Sequence, residues 1–285
     1  MLTVLEIIKK TTDFFAGKGI EQPRLNAELL IGHALGLGRM QLYLQFEKPL
    51  TEPDLEKIRP LVRRRGQREP LQYIVGETEF SGLRLKVDRR ALIPRPETEL
   101  LVEKVVAFYT AGASPTRVLD LGTGSGAIAL ALAKAFPGSA VTAIDASDDA
   151  LALARENAVA TGVAQRVTLI NSNWFSRIPS ESRYDLIVAN PPYLSAAETA
   201  ATTPEVRGFE PATALTALGG EDGLGDLRHI IRESPAFLAA GGLLALETGP
   251  AQHPELLAVL KETGFVRTES QSDLTGRDRF VFGWR

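Results

Sequence analysis

An α/β fold is predicted, with a largely parallel sheet between helices, a small all-helical N-terminal domain and a β-hairpin linker joining the two. Three features of the 285-residue sequence predict it. From residue 116 onward, short apolar runs alternate with helical patterns. Residues 2–72 read as helices throughout. Between these parts, residues 73–90 read as a hairpin around Ser81-Gly82.

In the first part, Leu25, Leu29 and Leu30 follow helical spacing, as do Leu55, Ile58, Leu61 and Val62. Pro23, Gly36-Leu37-Gly38 and the Pro49–Pro53 stretch punctuate these helices, and Thr51 and Asp54 are candidate caps. In the hairpin, Phe80, Leu83, Leu85 and Val87 are the apolar members. Pro94 and Pro96 bias their predecessors away from helix, so the next helix is expected near Glu97. Runs at 117–121, 140–144, 167–171, 184–189 and 242–246 read as strands buried on both faces. Helical patterns at 127–136, 148–160, 226–239 and 254–262 separate them, which implies a parallel sheet. Residues 265–269 and 279–284 are joined by a short polar loop, so the last strand is expected to run antiparallel. The predicted boundaries are 1–72, 73–90 and 91–285.

Composition narrows the function. With 44% hydrophobic residues the chain can bury a real core. A net charge of −3 disfavours a surface devoted to nucleic acid, and no direct nucleic-acid binding is expected. Cysteine is absent, and the three histidines (His33, His229, His253) lie far apart, so no metal site is expected. The N-terminal apolar stretch is short and interrupted by Glu6, and no run approaches the roughly 18 residues that cross a bilayer. A soluble cytoplasmic monomer is expected, with no membrane partner. Charge divides unevenly: residues 1–72 carry +3 and the rest −6. Arg59, Arg63, Arg64, Arg65 and Arg68 cluster either as a solvated helix face or as a docking surface for an acidic or RNA-containing partner.

Two motifs carry chemistry. The first runs Val118-Leu119-Asp120-Leu121-Gly122-Thr123-Gly124-Ser125-Gly126-Ala127, from a strand into a helix. Its glycines permit close backbone approach, and the helix start offers free N–H groups. Asp145, about 20 residues on at the end of the second strand, is placed to hold ribose hydroxyls. A nicotinamide enzyme and an S-adenosylmethionine enzyme both fit so far. Asp120 favours the second, because a carboxylate attracts an ammonium or sulfonium and repels a pyrophosphate, although it could instead cap backbone.

The second motif is Asn190-Pro191-Pro192-Tyr193, at the carboxyl end of the fourth strand. Two prolines remove two backbone donors and leave an acceptor-rich turn. The Asn190 side-chain oxygen and the Pro191 carbonyl can grip the two hydrogens of a planar NH2 group, and Tyr193 offers a ring for stacking. Such a grip activates a delocalised nitrogen toward a methyl carbon. A rigid turn closing a strand is the bland alternative; the glycine loop and Asp145 in order weigh against it.

With both motifs in hand, the sequence resembles the N(5)-glutamine methyltransferases of peptide chain release factors. The resemblance spans nearly the whole chain, through Pro23–Leu30, Pro70–Gly76, Leu92–Glu99, both motifs, Phe209-Glu210-Pro211 and Asp273–Arg279. It implies a Rossmann-like seven-stranded S-adenosylmethionine-dependent methyltransferase domain behind the helical domain. It further implies S-adenosyl-L-methionine as cofactor and the glutamine of a Gly-Gly-Gln loop as substrate. By position, Gly122, Thr123, Gly124, Ser125, Gly126, Asp145, Asn173, Trp174 and Asn190 would bind the cofactor. Asn190, Pro191, Pro192 and Tyr193 would hold the substrate, with Asn190, Pro191 and Tyr193 catalytic. Arg95 and Glu97 are expected near the pocket. Asn173 and Asn26 stand where the family more often has Asp. Three alternatives stay open here: an amino-methyltransferase of adenine or cytosine, a nicotinamide oxidoreductase, and a non-catalytic scaffold.

Overall fold

The computed structural model describes residues 2–110, 112–219 and 222–285. Packing divides the chain into two units, Met1–Gly76 with Thr203–Phe209, and Glu77–Thr202 with Glu210–Arg285.

The first unit is helical: α1 (Val4–Gly17), α2 (Pro23–Leu35), α3 (Arg39–Tyr43), α4 (Glu52–Gly66) and α5 (Leu71–Val75). Val4, Ile8, Phe15, Leu30, Ile31, Leu42 and Ile58 form its core. Thr51 and Asp54 together make one capping box at the start of α4: the Thr51 hydroxyl accepts from the Asp54 N–H, and the Asp54 carboxylate accepts from the Thr51 N–H at 3.0 Å. Asn26 is buried; its Nδ2 donates to the Glu21 and Gln22 carbonyls, and its Oδ1 accepts from Arg65 Nε at 2.8 Å. Four of the five clustered arginines are bound internally: Arg59 to Glu52, Arg64 to Glu69, and Arg65 and Arg68 both to Glu205. Arg63 is exposed. A run with partners at hand tightens its own unit, and its charge is largely neutralised as a docking field.

The second unit opens with the hairpin β1 (Glu77–Phe80) and β2 (Leu83–Lys86). Ser81 and Gly82 both have positive φ, 47° and 71°, as a tight two-residue turn requires. The hairpin is shorter than expected, because Tyr73–Val75 complete α5 and Gly76 ends that helix in the left-handed region. There follow α6 (Pro96–Thr110), β3 (Arg117–Leu121), α7 (Ala127–Ala135), β4 (Ala140–Asp145), α8 (Asp148–Ala160), β5 (Val167–Asn171) and β6 (Tyr184–Ala189). Two short helices come next, α9 (Ala196–Ala201) and α10 (Pro204–Phe209), the latter packed with the helical unit. The chain ends with α11 (Gly225–Glu233), β7 (Leu238–Glu247), α12 (His253–Glu262), β8 (Arg267–Ser272) and β9 (Asp278–Trp284). The helix expected over 226–239 stops at Glu233, since Pro235 has no N–H to continue it and a 3-10 turn leads into β7.

The seven main strands are ordered β5-β4-β3-β6-β7-β9-β8. Pairing is parallel from β5 to β7, while β9 runs antiparallel to both neighbours, as the short terminal loop predicts. From β3 the chain winds outward one way through β4 and β5, and from β6 the other way through β7. The carboxyl ends of β3 and β6 therefore flank the topological switch point, where open α/β sheets bind ligands. Register sharpens this. Leu121 pairs with both Ile144 and Ala189, and Ala189 pairs with Leu246. The next residues, Gly122, Asp145, Asn190 and Glu247, thus stand in one row across four strand ends.

Among the described residues, no helix is long and apolar enough to cross a membrane.

Candidate active site

The loop after β3 turns on Gly122, Gly124 and Gly126, at φ of 71°, 56° and 87°. Only glycine adopts this region at little cost, so the spacing of the motif is a backbone requirement. A Cβ on Gly122 would sit 3.5 Å from the Trp174 ring, which is how closely that ring covers the loop. Thr123 ties the loop to the sheet through its N–H to the Ile144 carbonyl at 2.8 Å. Ser125 is buried, and its carbonyl accepts from Asn157 Nδ2 at 2.9 Å. Asn157 also exchanges two hydrogen bonds with the backbone of Lys86, so the hairpin braces the loop from outside.

Asp120 sits beneath this loop, wholly buried. Its Oδ2 accepts from the Thr123 hydroxyl at 2.6 Å and from the Ala129 N–H at 3.1 Å. It is therefore the strut joining β3, the loop and the first turn of α7, the backbone-capping role of the two open for it. Among the described residues its buried Oδ1 has no hydrogen-bond partner. Burial pushes the carboxyl up to about 7, the bonds from Thr123 and Ala129 oppose the rise, and the charge of Asp145 adds to it. A carboxyl raised on folding binds its proton more tightly in the native state. Its stabilisation is thus complete below the unfolded value near 4 and is lost as pH rises through about 7. Asp120→Asn is expected to remove that component: in chemical denaturation from pH 5 to 8, the wild type should lose up to about 3 kcal/mol relative to the variant. Parallel pH dependence of the two proteins would show Asp120 ionised throughout.

Asp145 lies at the row's second position. Its two oxygens accept from the Gly124 and Ser147 N–H groups, each at 2.9 Å. Burial raises its pKa and these backbone bonds oppose the rise. Trp174 follows β5 with φ of 46°, unusual outside glycine. Its Nε1 donates to Asp226 at 3.0 Å, and Asp226 also accepts from the Leu218 N–H at 2.7 Å. Asn173, beside it, is exposed.

Across the switch point stands Asn190, half-buried, its Nδ2 donating to the Thr98 hydroxyl at 3.1 Å. Thr98 in turn donates to Glu247 Oε2 at 2.7 Å. Tyr193 donates its hydroxyl to Glu247 Oε1 at 3.2 Å, and the Arg279 guanidinium lies 5.7 Å from the Tyr193 ring centre. Gln252 Nε2 holds the Tyr193 carbonyl at 2.9 Å. Glu247 is almost fully buried; desolvation raises its pKa, against the Thr98 bond, the charge of Arg279 and the Tyr193 bond. Pro191 is buried and Pro192 half-buried.

The glycine loop, Asp145, Trp174 and Asn190–Tyr193 are thus brought to adjoining strand ends. Arg95 pairs with buried Glu210, which also accepts from the Ile93 N–H at 3.2 Å. Glu97 lies 3.6 Å from Arg277. His253 is satisfied by Thr248 at 2.8 Å and Ser270 at 2.7 Å, as a core histidine is. Among the described residues no cluster of side chains could hold a metal. Thr98, Glu247 and Arg279 escaped the sequence reading. Glu247 carries the signal that marks Asp145 and Asn190, a polar residue ending an apolar strand.

Residues 6–76 match the PrmC N-terminal domain and residues 96–221 the methyltransferase small domain. A release factor glutamine methyltransferase of Geobacter sulfurreducens is 43% identical over 99% of this chain and 96% of its own. One from Chlorobaculum tepidum is 43% identical over 97% and 95%. The chain belongs to the release factor glutamine methyltransferase family. A methyltransferase structure from Pyrococcus furiosus, 20% identical with a TM-score of 0.51 over 71% of this chain and 89% of that one, shares the fold. As a family member the protein is a methyltransferase, and S-adenosyl-L-methionine is its methyl donor.

The residues present suit that donor. Three left-handed glycines shape the loop backbone, a carboxylate fixed by two backbone N–H groups stands at the neighbouring strand end, and the Trp174 ring packs against the loop. When bound, the donor supplies an electrophilic methyl carbon on a positively charged sulfur.

Proposed function

We propose that this enzyme methylates the side-chain amide nitrogen of the glutamine in the Gly-Gly-Gln loop of peptide chain release factors. The reading rests above all on Asn190. Its NH2 is committed to Thr98, and no hydrogen bond from a described residue reaches its Oδ1. That oxygen and the Pro191 carbonyl are the acceptors for the two hydrogens of a substrate amide. Drawing on both hydrogens favours the pyramidal, charge-developing nitrogen and lines it up for attack. Tyr193, held by Glu247 and Gln252, presents its ring to the amide plane. Gly122 to Gly126, Asp145, Asn173, Trp174 and Asn190 bind the donor, with Asp145 on the ribose.

The helical unit, residues 1–76, docks the release factor, and the enzyme works as a cytoplasmic monomer without binding nucleic acid itself. The names of the relatives favour this over methylation of adenine or cytosine. The test is incubation with methyl-labelled donor and, separately, release factor, DNA and RNA. Label in the factor's glutamine is expected; label in nucleic acid alone would overturn the proposal.

A further inference from the structure

An asparagine amide has two faces of opposite polarity, and they exchange by a half-turn of the side chain. If the proposed function is right, only one of those orientations works, because an NH2 facing the substrate amide would meet NH2. Something must hold Asn190 with its oxygen outward.

The chain of donors behind it does so. Arg279 has no acceptor to offer, and its Nη1 lies 3.5 Å from the Tyr193 hydroxyl, which can only accept from it. The Tyr193 proton is then directed to Glu247 Oε1. The other carboxylate oxygen takes the Thr98 proton at 2.7 Å. With its proton committed, Thr98 Oγ1 has only lone pairs left for Asn190, and at 3.1 Å it must face Nδ2. We propose that Thr98 and Glu247 are positioning residues that set the polarity of Asn190, a carboxylate fixing a hydroxyl and the hydroxyl fixing an amide. Neither residue need touch the substrate.

The row of strand ends explains the placement. Glu247 ends β7 beside Asn190 at the end of β6, and Thr98, in the first turn of α6, bridges the two. Gln in place of Glu247 is the informative change. It offers one acceptor oxygen where two hydroxyls each need one, so either Thr98 or Tyr193 must reverse.

The experiment compares Thr98→Val, Thr98→Ser and Glu247→Gln with the wild type in the full chain. In the ligand-free protein, the Asn190 side-chain NH2 is read by amide NMR. One of its protons should be protected from exchange in the wild type and in Thr98→Ser, and unprotected in Thr98→Val. With release factor and donor, Thr98→Val should lose roughly ten-fold in kcat with KM and donor Kd within about two-fold, and Thr98→Ser should restore most of it. Glu247→Gln should fall at least as far. Wild-type kcat with an unprotected amide in Thr98→Val would overturn the inference and leave the proposed function standing. An inert wild type toward release factor, with the protected amide intact, would sink the function and not the orientation. If Glu247→Gln fails to fold, the Val and Ser pair decides alone.

Discussion

Asn190→Ala is expected to lower kcat toward release factor by about 10²- to 10³-fold, the range for losing one preorganised polar contact to the reacting group. KM for the factor should rise only a few-fold, because docking is spread over a larger surface than one amide. Donor binding should stay within about three-fold, since the glycine loop, Asp145 and Trp174 keep their contacts and Asn190 adds only one from across the switch point. The split follows from when the contact matters. The Asn190 oxygen gains most as the substrate nitrogen loses its delocalisation and its hydrogens become more acidic, so truncation removes stabilisation of the transition state more than of the bound substrate. Deleting the amide also leaves the Thr98 hydroxyl facing the space it occupied, with its bond to Glu247 intact. Collapse of the site is therefore not the expected cause of the loss. Steady-state kinetics with calorimetry of donor binding check each part. Near-normal turnover by Asn190→Ala would remove the turn from the mechanism.

Much of this site was legible because parallel sheets write their binding edge into the sequence. Each buried strand is an apolar run, and the residue after it stands at the sheet's carboxyl edge, so Gly122, Asp145 and Asn190 could be read one strand at a time. The glycine loop was legible for a related reason, since its left-handed φ values admit little else. Contacts closed by the fold were not. Thr98 and Glu247 lie 149 residues apart, and nothing local to either predicts a hydrogen bond between them. The arginine cluster kept two readings for the same reason: Arg65 and Arg68 meet Glu205 from positions 140 and 137 residues away, a pairing nothing local to the run shows. Asp120 kept two readings because a carboxylate beside a glycine loop can face the ligand or the backbone, and only packing chooses. Tyr73–Val75 fell inside the span read as a hairpin, but packing around Ile74 in the helical unit's core takes them into α5.

Asp145→Ala should weaken donor binding about 100-fold, and through binding rather than through the chemical step. The carboxylate accepts one backbone N–H on each oxygen, from Gly124 and Ser147, and these bonds fix its plane. Each oxygen keeps lone pairs for the hydroxyls of a ribose, and bonds to a charged acceptor contribute about 1.5–3 kcal/mol each. A net loss near 3 kcal/mol corresponds to the 100-fold expected. Part of it comes from the loop, because Gly124 loses the partner that holds its N–H and the loop must then be ordered by the ligand itself. Asp145→Asn separates the two contributions. An amide still accepts from one N–H and offers one acceptor fewer, so an intermediate loss of about ten-fold is expected. At saturating donor, kcat of Asp145→Ala should recover to within several-fold of wild type, the inverse of Asn190→Ala, where donor binding survives and kcat does not. Calorimetric titration of both variants with donor and with its demethylated product measures this directly. Unchanged donor affinity in Asp145→Ala would mean that the ribose lies elsewhere and that the carboxylate serves only to hold the loop.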